Sequence, residues 1–272
     1  MVTRFLLLVG LLLSIAVAAQ QQPQNASRTE LNAGVQALRQ ANYDAAISHF
    51  EKAISLDPEL TVARLYLATT YAQTFVSGVD KPDNVVRATN ALNQYAEILR
   101  RNPTDIESMK GMAYLNVQLK NFEQAKENYK KAIALNPSDA ELFYSAGVAD
   151  WSIASRDLTK EKAKLDADSE DAVAASEACM NLRTVAIANI DEGIAMLTKA
   201  VSLRKDYGDA MSYMKLLYIM RADLECAGQE AQAADLKKAM EWSDMARAAR
   251  KGKDETTPPK SDQESGPDVP PR

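Results

Sequence analysis

One histidine, two cysteines and ten glycines in 272 residues leave little from which to build a catalytic centre. His49 stands beside Phe50 on a helix-like stretch and reads as a rim residue, not as a base. With no second histidine, and with Cys179 and Cys226 far apart in sequence, no zinc-site spacing exists. The glycines form no Gly-x-Ser-x-Gly elbow, no phosphate-cradling loop and no dinucleotide fingerprint. Asp166, Asp168, Glu170 and Asp171 lack the central glycine and closing glutamate of a calcium loop, so they read as solvated charge. No cofactor and no enzymatic activity are expected.

Basic residues are also in deficit. Lys and Arg number 32 against 37 Asp and Glu, a net charge of -5, and no helix-like stretch carries a basic stripe, which argues against a nucleic-acid partner. The apolar run Phe5 to Val17, which includes Gly10 and Ser14, is 13 residues long; a bilayer span takes about 20. Preceded by Arg4 and followed by Ala16-Val17-Ala18, it reads as a secretory signal peptide over 1–19, cut after Ala18 or Ala19, with an uncleaved anchor as the other reading. Cleavage takes Arg4 away and moves the charge to -6. No cysteine stands at the cleavage region, which excludes lipid attachment there, and Asn25-Ala26-Ser27 is a glycosylation sequon only in a eukaryotic source. The expected localisation is exported, periplasmic or secreted, with no membrane span after cleavage.

What the chain does have is a period. Pro58, Pro103 and Pro137 each follow an apolar helix-like stretch, and the last two are 34 residues apart. Around them recur Ala46-x3-Phe50-x2-Ala53-x4-Pro58, Ala91-x3-Tyr95-x2-Ile98-x4-Pro103 and Ala125-x3-Tyr129-x2-Ala132-x4-Pro137. In this the chain resembles the tetratricopeptide repeat family, whose unit is a 34-residue helix-turn-helix. The resemblance implies an all-α fold, a right-handed α-solenoid of helix pairs closed by a C-terminal capping helix, and a role in holding another polypeptide. Exported members in bacterial envelopes are the most similar in kind.

The family places a small residue where the two helices of a unit cross, and Gly34, Ala68, Ala113 and Gly147 fill that place. From there to the second-helix alanine is 12 positions in the first and third units (Gly34 to Ala46, Ala113 to Ala125) and 23 in the second (Ala68 to Ala91). The second unit thus carries an 11-residue insertion, placed between its helices by Gly78, Asp80-Lys81 and Pro82. A fourth unit reads Glu141 to Ala154, then Gly193-x3-Leu197-x2-Ala200-x4-Lys205, with Lys205 standing 68 residues after Pro137. That is one unit with a long insertion or two with one eroded; the charged stretch 156–171, which lacks the motif, favours insertion. Residues 172–204 suit one long helix, whose first half projects from the stack or folds back. A fifth unit opens with Asp209 to Glu225 and puts a lysine, Lys215, at the close crossing. The domain reading is a flexible 20–26, an array over 27–250 and a disordered tail over 251–272. Within the array the repeats are 27–60, 61–105, 106–139, 140–207 with an insertion at 156–180, and 208–250 ending in the capping helix.

Three further expectations concern local structure. Ser27-x2-Glu30, Thr104-x2-Glu107 and Ser138-x2-Glu141 have the form of capping boxes. All ten prolines fall outside the proposed helices. If 185–204 packs antiparallel on 209–225, Cys226 lies level with about Ile187 and Cys179 stands about 12 Å beyond it, too far for a bridge. Two unpaired thiols are the expectation, with a disulfide only if the segment before Leu182 bends back.

The resemblance also implies a binding face on the first helices of the units. It comprises Leu31, Val35 and Leu38, then Leu65 and Thr69, then Lys110, Tyr114 and Val117, then Tyr144, Val148 and Trp151. Members that grip a terminal carboxylate use a lysine and an asparagine in the first unit, where this chain has Leu31 and Val35, so that function is not carried over. The face is apolar and aromatic, suited to an amphipathic helix or extended apolar peptide. The competing reading has Tyr144 and Trp151 packing on the 156–180 insertion instead. The function expected is a protein-binding scaffold; a self-associating envelope component, a homo-oligomer built on the long helix near Val173 to Leu197, is the alternative, and an enzyme the weakest.

Overall fold

Each marker proline sits in a turn that an asparagine or aspartate opens. In the computed structural model, which describes residues 25–164, 172–226 and 228–256, Asp57 and Asn102 accept from the backbone N–H two residues on (Glu59 N at 3.0 Å, Thr104 N at 3.2 Å). Asn136 accepts instead from the Ser138 hydroxyl at 2.8–2.9 Å geometry shared with Thr104 and Asn102. Asx turns of this kind give the first N–H after the proline a local acceptor. They separate α2 (Tyr43–Leu56) from α3 (Thr61–Thr74), α4 (Pro82–Arg101) from α5 (Ile106–Gln118), and α6 (Phe122–Leu135) from α7 (Ala140–Lys162). α1 covers 25–39; α8 (Ala172–Leu203), α9 (Gly208–Ala222) and α10 (Gln229–Thr256) complete the order, and no strand occurs among the described residues.

The caps differ from expectation. Ser27 is a buried residue inside α1, not its cap. The caps of α5 and α7 are Asp105 and Asp139, which accept from Ser108 N at 2.8 Å and Glu141 N at 2.9 Å. Thr104 and Ser138 are occupied by the preceding asparagines, so the helix start moves one residue on. Pro82 is not in a loop but opens α4, where its missing N–H would have no intrahelical partner anyway. The inserted residues of the second unit are therefore divided between a longer connection, 75–81, and a second helix of 20 residues where α2 and α6 have 14. Asn84, buried in the first turn of α4, holds that connection by bonds to Val76 N, Val76 O and Val79 O at 2.7–2.8 Å. At the C-terminus the last helix runs six residues into the expected tail, because no proline intervenes before Pro258. The signal reading (1–19), most of 20–26, part of the 156–180 insertion and residues 257–272 lie outside the described residues.

The helices group into two compact units that divide between Met112 and Ala113, within α5. In the first, a Cβ on Gly34 would stand 2.5 Å from the Phe50 ring, so only glycine lets α1 and α2 approach this closely. The Phe50 ring stacks in turn on Tyr66 of α3, with centroids 5.5 Å apart. The short turns after α1 and α5 end alike: Asn42 N donates to Ala37 O and Asn121 N to Asn116 O, with Ala41 and Lys120 in the left-handed region at φ 54° and 61°.

In the second unit α7 and α8 are both long. Ala154 and Leu158 share a buried cluster with Ala186 and Ile190, so the residues added to one helix pack on those added to the other. The pair is closest at Gly147 and Gly193. A Cβ on Gly147 would lie 2.6 Å from Leu197 Cγ and 3.2 Å from the Gly193 carbonyl oxygen. Gly147→Ala should therefore lower stability by about 1–3 kcal/mol through overpacking, whereas Gly208→Ala, whose nearest contact is 3.5 Å, should leave the urea midpoint near that of the parent. Equal midpoints for the two variants would contradict the crossing. Arg221 of α9 ties three helices, bonding Asp235 of α10 at 2.7–2.8 Å and Asp191 of α8 at 3.0 Å.

Cys179 and Cys226 are joined in a disulfide, Cα to Cα 5.7 Å, and not left as two thiols. The expected 12 Å gap assumed that α9 stayed helical to Glu225, but it ends at Ala222. Residues 223–226 follow turn and irregular backbone, which covers more ground per residue than a helix does. Arg183, one turn from Cys179, holds this segment through Leu224 O at 3.1 Å and Glu225 Oε1 at 2.8 Å.

Candidate protein-binding face

The repeat register assigns a position two residues before each close crossing to the contact with the preceding unit. It is filled by Tyr66, Gly111, Ser145 and Tyr213, of which the first three meet the motif positions Phe50, Tyr95 and Tyr129. Within the first unit a Cβ on Gly111 would come 2.3 Å from the Tyr95 ring. In the second, Ser145 bonds the Tyr129 hydroxyl, and burial pushes that phenol up to about 12. In the fifth helix pair the same position holds Tyr213.

That tyrosine organises the face of α7. Trp151 and Tyr144 both meet Tyr213 edge-on, at 5.4 and 5.9 Å between centroids, and Tyr144 also lies 4.9 Å from Tyr207. Edge-to-face pairs at these distances each contribute about 0.5–1.5 kcal/mol beyond their buried area. Arg204 covers the far side of Tyr207 at 4.1 Å. Burial holds the Tyr144 phenol above its ordinary range and moves that of Tyr207 up to about 12, so both are neutral near pH 7. The four rings are half-buried or buried, and α7 presents Val148 between its two. Tyr144 and Trp151 thus meet α9 and the residue that caps it, while part of the 156–180 insertion, on which the competing expectation has them packing, lies outside the described residues.

Tyr114 is a different case: its ring is 55% exposed. Val117, one turn on, is half-buried. Lys110 belongs to the first unit, where its ammonium lies 3.7 Å from Glu107 Oε1. Also in the first unit, Leu38 is buried in the core and not on a face, and Thr69 bonds Leu65 O and the Tyr95 hydroxyl. His49 is held at 2.7 Å by Glu30, which also takes Lys52, an arrangement of surface charge. Sequence reasoning missed Tyr207 and Tyr213; the signal for Tyr213 was its place in the register, two residues before Lys215.

Beneath the face lies a charged cluster that the sequence did not single out. Asp150 of α7 is completely buried, and its Oδ1 lies 2.5 Å from Lys126 Nζ of α6. The same ammonium reaches Glu192 at 2.7 Å and Asn189 at 2.9 Å on α8, and Lys130 also pairs with Glu192. Burial pushes the Asp150 carboxyl up to about 6 despite Lys126. Among the described residues no three metal-ligating side chains gather, and no helix is long and apolar enough to cross a membrane.

Comparison with known proteins agrees with the helix pairs. Residues 32–60 match the tetratricopeptide repeat family and residues 113–152 match a second model of the same repeat. No curated protein matches the chain. Among solved structures it is similar to two described as MamA. One is 16% identical, covers 82% of this chain and 96% of that one and has a TM-score of 0.57; the other is 15% identical, covers 85% and 95% and has a TM-score of 0.58. A third, MamA 41-end from Desulfovibrio magneticus RS-1, is 14% identical over 84% of this chain and 97% of that one, with a TM-score of 0.57. At such identities the likeness shows the fold, an all-α solenoid class built from tetratricopeptide helix pairs.

Proposed function

We propose that this chain is an exported, non-enzymatic scaffold of the cell envelope that holds a polypeptide segment against the first helices of its repeats. Tetratricopeptide pairs are protein-interaction units, and the observation that carries the reading further is the aromatic face of the second unit: exposed Tyr114 on α5, and Tyr144, Val148 and Trp151 on α7, with Tyr213 behind them. Aromatic side chains that keep one edge open on a rigid support are the residues that dominate interface energies. Export is supported by the N-terminal signal reading and by the Cys179–Cys226 bridge, since disulfides persist in oxidising compartments.

Two variants separate binding from packing. Tyr114→Ala should leave the melting temperature unchanged, because an exposed ring loses no packing, and should weaken a captured partner by about 2 kcal/mol, roughly thirtyfold. Trp151→Ala should weaken it similarly and also lower stability, because the indole rests on Tyr213. A partner that binds both variants as tightly as the parent rules the face out. Self-association is a second reading, favoured by exposed Met180 and Val185 on α8; sedimentation of the isolated protein distinguishes it, because a pure adaptor stays monomeric.

A further inference from the structure

The fifth helix pair differs from the others at its crossing. Where Gly34, Ala68, Ala113 and Gly147 stand in the other units, α9 has Lys215. α9 and α10 pack closely near Gly208, and beside that contact the structure has a cleft of about 310 Å³ between them. Ser212, Lys215 and Leu216 line it from α9, and Ser243, Arg247 and Arg250 from α10.

The charge inside is one-sided. Arg247 is paired with Asp244 at 2.6 Å, but Arg250 donates only to the Ser212 hydroxyl, at 2.7 Å, while Ser212 donates to Gly208 O at 2.8 Å. Among the side chains described, which end at Lys251, no carboxylate lies within ion-pair distance of Lys215 or Arg250. In a chain of net charge -5, two cations and two hydroxyls gathered around one cleft suit an oxyanion.

The surroundings say what carries the oxyanion. On α10 the cleft residues Ser243, Arg247 and Arg250 continue a line that begins with Leu236 and Met240, spaced by four and three residues and so on one side of the helix. Both are exposed, as is Leu216 across the cleft. A free ion would use only the cationic end of this strip. A peptide with apolar side chains followed by carboxylates would use all of it, matching apolar to apolar and charge to charge.

We propose that the α9/α10 cleft is a second binding site, for an acidic amphipathic polypeptide segment whose carboxylates meet Lys215 and Arg250 and whose apolar residues meet Leu216, Leu236 and Met240. It is independent of the aromatic face on α7.

The test is titration calorimetry with three probes: a helical peptide bearing leucines one turn apart followed by glutamates one turn apart, the same peptide with glutamine for glutamate, and inorganic phosphate. The glutamate peptide should bind at least about tenfold more tightly than the glutamine peptide, and less tightly as salt rises. The double variant Lys215→Gln/Arg250→Gln, which removes both charges and keeps polar side chains, should lose about tenfold or more in affinity for it, while the charge-removing variant Lys160→Gln, on α7, should bind it like the parent. Equal binding of the two peptides, or unchanged binding by the double variant, overturns the proposal. So does full displacement of the peptide by millimolar phosphate, which would make the cleft a site for small ions.

Discussion

Loss of the Cys179–Cys226 bridge should lower the unfolding free energy by about 4 kcal/mol, the chain-entropy value for closing a loop of 47 residues. The measurement compares urea unfolding of the oxidised protein with that of the Cys179→Ala/Cys226→Ala variant. The effect should also be local. The bridge fastens the early part of α8 to the segment between α9 and α10, and helix pairs couple only to their neighbours, so amide exchange should quicken around Cys179 and Arg183 and change little in α2 and α3. Thiol counting on the denatured, unreduced protein gives the decisive negative result: two free thiols per chain would mean that the bridge does not form.

Lys126→Met should cost about 3 kcal/mol or more at pH 7, because removing one partner strands a buried charge. Asp150 has Lys126 Nζ at 2.5 Å, and no hydroxyl or backbone donor reaches its carboxylate among the described residues. The pH dependence gives the test its sign. The folded-state value of Asp150, about 6, is above the ordinary 3.8, so the folded protein binds the proton more tightly than the unfolded chain does. Ionised Asp150 is therefore a cost at neutral pH, and its protonation returns stability as pH falls through about 6 towards about 4. Without Lys126 the carboxyl rises further, and the deficit of the variant should shrink between pH 7 and pH 5. Lys126→Met/Asp150→Asn should recover most of the loss at pH 7, since Glu192 keeps Lys130. A deficit that is the same at both pH values would show that the loss is one of packing.

The helix pairs were legible because their determinants are local and repeated. Ala46, Phe50 and Ala53, Ala91 and Tyr95, Ala125, Tyr129 and Ala132 are all buried, as their spacing requires. The small residues Gly34 and Gly147 stand where a Cβ has no room. The errors were also local. Ser27, Thr104 and Ser138 matched a capping pattern, but Asp105 and Asp139 had better geometry, and Pro82 was equally at home at a helix start. Such choices differ by about 1 kcal/mol, which spacing alone does not resolve.

By itself the sequence determined the all-α class, the repeat period, the turns at Pro58, Pro103 and Pro137 and which faces are apolar, because each depends on residues within one or two helical turns. Only the tertiary structure decided that Cys226 reaches Cys179, that Tyr144 and Trp151 lean on Tyr207 and Tyr213, that Lys126 neutralises Asp150, and that Lys215 and Arg250 line one cleft. Each of these joins side chains distant in the chain. Their meeting depends on where a helix ends and how closely two helices approach, quantities that no periodicity records.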